Sequence, residues 1–586
     1  MLAPNDVFEH TRLGNHPSFR EQSANGTTAG VEVISEHLEA GFGLLFRDLE
    51  AAEQHLQCRV TPAPLGCIVK DRGDGTNKVR VIMDLRRNRV NDATRVPERQ
   101  VLPTIQHHAL DLLRLCRHLG PDEEVTSMVL DFRDAFMSIP LAIEEQCFNT
   151  CYLESPLARR RPAAFQGETE KGQVIVWRVL GFGGKPNPLV YSRAASFAAR
   201  SAQALLRTTA QSTVGAAACA PGRLQLYVDD PVLSLAGSPA ATDASIDLVL
   251  LWWLCLGPPL AWRKGTSGRG SHRWIGGIFD VRPTATATDA VRAQIGDASH
   301  YVVVSVPPDF AASLSDDLAL FSDGTGHIAD EEVQRTIGRC GRLAYLIPAA
   351  RPFVSAMWGA LAASEAAARR GKREAPPGRH PVVRFHLAAR WLHRLLNPPP
   401  RTEPWLPLEQ VVSEHLSRIT LETAARVEVD ASPWGGGGVL HIDGAITEFW
   451  TVTWTAADAR ELKIDIGSPA GQTTWELLAL FVCLVLWGRA HRGQGLALLG
   501  DNLASLEAAL HLRGRGALSQ IAREISWRRA RDGWRYVVGH LPTERNIIAD
   551  ALSRLAAPAA EAKRWPTELA SASQRAAPDI SSQWTL

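Results

Sequence analysis

A chain of 586 residues is too long for one hydrophobic core and is expected to divide into roughly three or four units. With 45% hydrophobic and 21% charged residues it has the make-up of a folded globular chain, so disorder is expected only locally. A net charge of +1 excludes a uniformly basic nucleic-acid binder, and nine cysteines without a CxxC pair exclude the usual zinc modules. The N-terminus has no basic-then-apolar signal, and the apolar stretches "LVLLWWLCLG" and "LLALFVCLVLWG" fall short of the roughly 20 residues a membrane span needs. The expectation is an intracellular protein of the cytoplasm or nucleus, neither secreted nor bound to a membrane.

Residues 1–55 show weak periodicity and read as an N-terminal arm. From 56 to 281, strand-like runs ("KVRVIMDL", "VTSMVLDF", "VIVWRVLGF", "LQLYV", "RWIGGIFDV") alternate with helical stretches, the pattern of an α+β domain. Residues 282–396 read as mainly helical and basic: between Arg339 and Arg394 stand 11 Lys or Arg against 2 Glu, a local net of +9. "NPPPRTEPWLP" opens a Pro-rich linker, 397–420, and a second α/β domain follows over 421–556. The tail 557–586 is expected to be disordered.

Two sets of acids break this pattern. Asp131 ends the run "MVL", Asp134 lies one helical turn on, and "YVDD" sets Asp229 and Asp230 in an otherwise apolar strand. Taken singly, "YVDD" reads as a hairpin turn and "DFRDAF" as a helix N-cap. Together, buried like charges persist only if protonated, matched by cations or holding a metal. Carboxylates on neighbouring strand ends suit two Mg²⁺ ions and phosphoryl transfer. In the second domain Asp430 ends "RVEV" before a glycine run, Glu476 opens an apolar helix, Asp501 ends "LALLG", and Asp550 lies in "NIIADALSR". Each alone has a bland reading as cap, turn or solvated acid.

The ordered series "KVRVIMDLR", "LDFRDAFMSIPL", "LGFGGKPNPLVYSR", "YVDD", "AWRKG" and "RWIGGIF" resembles the fingers, palm and primer-grip motifs of reverse transcriptases. The four later acids, with the ending "GHLPTERNIIADALSR", resemble ribonuclease H. The style of "GRLAYLIPAARPFVSAMWGAL" is similar to retrotransposons of the DIRS-like or long-terminal-repeat type. The resemblance implies an α+β right-hand polymerase (fingers, palm, mainly helical thumb and connection) followed by an α/β ribonuclease H-like domain.

By the same resemblance Asp131 and Asp229 bind two metal ions with Asp230 beside them, Lys264 donates a proton to the leaving group, and Lys78 or Arg80 contacts the incoming triphosphate. Asp134 and Tyr227 also fall at substrate positions. Phe136 stands where a ring gates the sugar 2′ position, although plain core packing would also explain it. Phe182 and Gly183 would support the nascent base pair and the template backbone. Two positions depart from the pattern: Gly181 replaces a more usual proline, and Pro231 follows the aspartate pair. In the second set Asp430, Glu476, Asp501 and Asp550 would hold two further ions, and His540 would aid proton transfer unless it is a plain surface-loop histidine.

The implied cofactor is Mg²⁺, with Mn²⁺ an alternative, two ions per site. The implied partners are an RNA template, DNA primer and product, RNA–DNA hybrid, deoxynucleoside triphosphates and other parts of a retroelement polyprotein. The implied function is RNA- and DNA-templated DNA synthesis with hydrolysis of RNA in hybrids. The alternative is a domesticated or decayed relative that only binds nucleic acid or scaffolds a complex.

Overall fold

A computed structural model describes residues 14–20, 29–71, 77–153, 173–210, 219–398, 408–414, 419–579 and 582. They form a mixed α+β structure in two compact units, Met1–Thr104 with His118–Arg269, and Ile105–Arg117 with Gly270–Leu586. The division therefore falls at residue 269, inside the span 56–281 expected to form one domain, and the helix Ile105–Cys116 belongs to the second unit. Residues 1–13, 21–28 and, within the Pro-rich linker, 399–407 and 415–418 lie outside the described residues.

Within the first unit the expected N-terminal arm supplies the strand Gly43–Phe46, which pairs antiparallel with Gln173–Trp177 in a four-stranded sheet. A separate hairpin joins β1 (Leu65–Asp71) to β2 (Asn77–Met83). The central sheet is built from β3 (Val125–Val129), β4 (Gly222–Tyr227), β5 (Asp230–Ala236) and β6 (Thr266–Arg269), in the order β6-β3-β5-β4. Buried Val, Leu and Met make β3 and β5 its core strands, and Ser127 and Ser234 satisfy each other across them at 2.8 Å.

One helix of this unit, α1 (Asn187–Ala210), turns a single face to the core. Tyr191, Ala195, Ala198, Ala202 and Leu206 recur at helical spacing, and the alanines let its backbone approach closely. A second helix, α2 (Pro239–Leu256), starts at Ser238, whose side chain accepts from Ala241 N–H, with Pro239 in the first turn. It stops at Gly257, φ +86°.

In the second unit β7 (Ser271–Trp274) and β8 (Gly277–Pro283) form a hairpin through Ile275 and Gly276, both at positive φ, as a two-residue turn of this hand requires. This hairpin continues into β9 (His300–Ser305), and β10 (Glu409–Val412) completes the sheet. The expected linker 397–420 thus contributes a paired strand. Helices α3 (Pro308–Ala319), α4 (Asp330–Leu346), α5 (Arg351–Arg369) and α6 (His386–Leu396) fill the mainly helical stretch.

A six-stranded sheet forms the rest, from β11 (Ala425–Ala431), β12 (Gly435–Ile442), β13 (Ala445–Thr453), β14 (Leu496–Gly500), β15 (Tyr536–His540) and β16 (Ser573–Gln574). Its order is β15-β14-β11-β12-β13-β16. Its covering helices are α7 (Gln472–Trp487), α8 (Leu503–His511), α9 (Ala517–Asp532) and α10 (Ile547–Ser553). The helix α7 is apolar all round because it is the core helix: Leu477, Leu478, Phe481 and Leu484 are fully buried, each stabilising by roughly 1.5–3 kcal/mol. Phe353 of α5 stacks on Trp391 of α6 at 4.2 Å, and Trp391 meets Trp527 of α9 edge-on at 4.1 Å, so the helical stretch and the sheet domain share one unit.

Residues 557–579 depart from the expected disorder. β16 pairs parallel with β13, and Leu569 is buried with Val439, Phe449 and Leu552. Residues 580–581 and 583–586 lie outside the described residues. Two helices, Pro239–Leu256 and Pro469–Trp487, are long and apolar enough to cross a membrane by length and composition, more than the run lengths suggested; the second is 72% buried within the fold.

Candidate active sites

The first acidic set stands at the end of the central sheet of the first unit. Asp131 follows β3, and its neighbours are tied to the β4–β5 hairpin: Phe132 N–H donates to Asp229 C=O at 3.0 Å and Leu130 N–H to Pro231 C=O at 3.1 Å. Tyr227 pairs with Asp230, so Val228 and Asp229 form a two-residue turn. Val228 adopts φ +58°, a conformation a β-branched residue rarely accepts. The turn reading of "YVDD" is therefore correct as geometry, and it brings Asp229 beside Asp131. Pro231 directs its carbonyl toward β3; its missing N–H would face the same side, so the β4–β5 hairpin loses no bond.

Burial raises the Asp229 carboxyl above its ordinary range, and Asp131 adds to the shift while Arg80 and Lys264 oppose it. Asp230 is pushed up to about 6, first by burial and then by Asp229 and Asp131, with Lys264 and Lys78 opposing. Lys264 ion-pairs with Asp131 Oδ2. The three aspartates, two cations of the β1–β2 hairpin or its continuation and Lys264 thus act on one another. Their carboxylates do not close into one compact group of three, and the Lys264 ammonium occupies Asp131.

An aromatic wall stands beside them. Phe136, half-buried, meets Phe182 at 5.5 Å and Tyr191 at 5.4 Å, both edge-on, and the Arg80 guanidinium lies 5.8 Å above the Phe182 ring. Gly183 has φ +121°, and a Cβ there would come within 1.9 Å of the Met83 carbonyl oxygen, so this backbone approach requires glycine. Gly181 faces the end of the Met83 side chain, and its carbonyl accepts from Asn187 Nδ2 at 2.7 Å. Asp134 is exposed at φ +48°, 3.5 Å from Arg133, and caps no helix.

The second set is compact. Asp430 on β11, Glu476 on α7 and Asp501 just after β14 offer carboxylate oxygens all within 4.8 Å of one another. Among the described residues this is the group of three or more such side chains that can hold a metal ion. β11 and β14 are parallel neighbours, which sets Asp430 and Asp501 at the same sheet end, and Gly437 opposite Asp430 admits Leu552 of α10 against the sheet. Asp430 is 4% and Glu476 3% exposed. Ser553 Oγ donates to Asp430 Oδ2 at 2.5 Å, Gln472 Nε2 to Glu476 Oε1 at 2.9 Å, and Thr543 Oγ1 to Asp501 Oδ2 at 2.8 Å.

Burial pushes the Asp430 carboxyl up to about 7, and it raises Glu476 strongly, with Asp430 and Asp501 adding to it. Three hard oxygen donors, two buried and one half-buried, mutually repelling, fit a divalent cation. Asp550 on α10 is buried but accepts from Arg554 Nε at 2.7 Å and from Lys563. It stands outside the group of three. His540, exposed at the end of β15, pairs in register with Gly500, one residue before Asp501.

The supporting donors were not singled out in the sequence. Gln472 stands four residues before Glu476, so helical spacing carried its signal, whereas Ser553 reaches Asp430 from 123 residues away and had no local signal. Lys563 and Thr543 had none. Within the basic stretch Arg339 pairs with Asp317, Arg384 forks Glu374 at 2.7 and 2.6 Å, and Arg370, Lys372, Arg373, Arg390 and Arg394 are exposed.

The stacked charges predict a stability effect. With a folded pKa of about 7 against an ordinary 3.8, Asp430 costs the metal-free fold more as pH rises through that window, and the cost is absent below it. Asp430→Asn is expected to stabilise the chelator-treated protein by about 2 kcal/mol, or ~4–8 °C in Tm, at alkaline pH and by less near pH 5.5. Excess Mg²⁺ should reverse the gain, because three facing carboxyl groups can hold the ion and the variant keeps two of them. Differential scanning calorimetry at both pH values checks this; an equal gain at both removes its electrostatic basis.

No family model and no curated protein matches the chain. Among solved structures it is similar to the foamy viral protease–reverse transcriptase dRH in complex with double-stranded DNA, at 13% identity and TM-score 0.41, covering 91% of this chain and 75% of that one. It is also similar to the native protease–reverse transcriptase of prototype foamy virus, at 14% identity and TM-score 0.29, and to its CSH mutant, at 15% and 0.30. Each of these two covers 92% of this chain, which spans 56% of their length.

Proposed function

We propose that the chain is a two-centre nucleic-acid enzyme of a retroelement, an RNA- and DNA-templated DNA polymerase in its first unit and a ribonuclease H in its second. The observation that carries this is the same device used twice: each unit sets aspartates at the ends of neighbouring strands of its central sheet, Asp131 with Asp229 and Asp430 with Asp501. The ordered sequence motifs add the choice of reaction.

Asp131, Asp229 and Asp230 would hold Mg²⁺ in the first centre, and Asp430, Glu476 and Asp501, with Asp550 near, in the second. Such ions, when bound, activate the attacking 3′-hydroxyl or water and stabilise the charge that builds on the leaving oxygen. Lys78 and Arg80 draw in the triphosphate. The Phe136 ring, held by Phe182 and Tyr191, would stand against the sugar 2′ position and so select deoxynucleotides. Gly183 lets the template backbone approach, and Lys264 gives its proton to the departing pyrophosphate. In the second centre His540 moves a proton at the leaving oxygen. The exposed cations between Arg370 and Arg394 supply backbone contacts that read shape and charge more than sequence.

The test is direct. Purified protein with Mg²⁺ is expected to extend a DNA primer on poly(rA) with dTTP and to cut the RNA of an RNA–DNA hybrid. Failure to do either across metal and salt conditions, with hybrid binding retained, would leave the chain a binding or scaffold protein.

A further inference from the structure

Asp550 differs from the other acids of its set in what neutralises it. Asp430, Glu476 and Asp501 take hydrogen bonds from Ser553, Gln472 and Thr543, all uncharged. Asp550, 5% exposed, has both oxygens occupied by cations, Oδ1 by Arg554 and Oδ2 by Lys563. Arg554 lies one turn on in the same stretch of chain. Lys563 lies thirteen residues away, in the C-terminal segment.

That segment is fastened to the sheet at several points. Trp565 meets Phe449 edge-on at 5.7 Å, and Leu569 is 3% exposed in a cluster with Val439, Phe449 and Leu552. β16 adds a strand beside β13, with Arg575 N–H donating to Phe449 C=O at 2.7 Å. The Arg575 guanidinium forks Glu448 at 2.8 and 2.7 Å, and Glu448 also accepts from Trp487 at 2.8 Å. A chain held so closely just after Lys563 restricts where its ammonium can reach. The Lys563 side chain is still 47% exposed, and a lysine, unlike a forked arginine, is a single point charge on a flexible stem.

We propose that Lys563 is a positioning residue of the second centre, a resident cation that holds Asp550, so that this centre takes one divalent ion among Asp430, Glu476 and Asp501 and a second only as Lys563 withdraws. The proposal rests on the ribonuclease H reading. It makes the second ion's affinity depend on the C-terminal segment, because ion and ammonium compete for one carboxylate.

The experiment measures binding of Mn²⁺ alone, by electron paramagnetic resonance of the free ion, to the full chain carrying Asp229→Asn to silence the first centre. The expected parent behaviour is one tight ion that Glu476→Gln removes and one weaker ion that Asp550→Asn removes. Lys563→Met is expected to tighten the weaker ion about tenfold while leaving the tight one within about twofold. Lys563→Arg should keep the second ion weak, and Arg575→Ala, which loosens the segment, should tighten it as Lys563→Met does, though less. An unchanged or weaker second ion in Lys563→Met overturns the proposal while the tight ion upholds the nuclease reading. Absence of any Glu476-dependent ion in the parent overturns that reading instead. Should Lys563→Met lose its cooperative melt, Arg575→Ala decides by the same criterion.

Discussion

Asp229→Asn is expected to lower primer extension at least about a thousandfold, ~4 kcal/mol of transition-state stabilisation, while hybrid cleavage stays within about threefold of the parent. Asparagine keeps the shape of the side chain in the Val228–Asp229 turn but removes its charge, and a neutral amide is a poor ligand for a hard cation. Folding should not suffer. Burial and Asp131 both disfavour the charged form of Asp229, so the amide relieves a cost that the metal-free fold carries. Steady-state extension on poly(rA) and cleavage of a labelled hybrid, run on one preparation, give both numbers. Retained extension would remove Asp229 from the chemistry of the first centre.

The mirror result is expected of Glu476→Gln, with hybrid cleavage falling about a thousandfold and extension within about threefold. Glu476 is 3% exposed in the first turns of the core helix α7, where a side chain of another shape would disturb packing, and glutamine preserves the volume. Its amide oxygen can still accept from Gln472 as the carboxylate oxygen does at 2.9 Å. What is lost is one of three ionisable carboxyl groups facing each other within 4.8 Å. Equal loss of both activities would point to a damaged fold, which far-ultraviolet circular dichroism and a melting curve would reveal. Selective loss assigns hydrolysis to the second centre, and the pair of variants together separates the two chemistries.

Much of the site was legible because it is local. An apolar run that stops at an acid reports a strand end carrying a carboxylate, and Asp131, Asp229, Asp430 and Asp501 all stand where that pattern puts them. The glycine run after Asp430 had a steric meaning, and the structure gives it: at Gly437 a Cβ would lie 2.3 Å from Leu552 Cβ. The bland reading of "DFRDAF" as a helix N-cap does not hold, since the short helix Phe136–Ser138 that follows has no side-chain cap and Asp134 adopts a positive φ.

The sequence by itself marked the main strand runs of 56–281 and the helical stretch after them, that acids interrupt the apolar runs at two places, and that the mainly helical stretch is rich in arginine. Periodicity reports burial along a few turns or residues, and that suffices for each of these. Only the tertiary structure decided that β10, a hundred residues beyond β9, completes its sheet, and that the helix Ile105–Cys116 joins the second unit. It also decided that the first set of aspartates spreads while the second gathers, and that a tail of low hydropathy docks. The physical reason is shared. Strand pairing, a buried Leu569, an Arg575–Glu448 fork and a lysine on Asp550 depend on which distant surfaces meet, and no local window of sequence contains both partners.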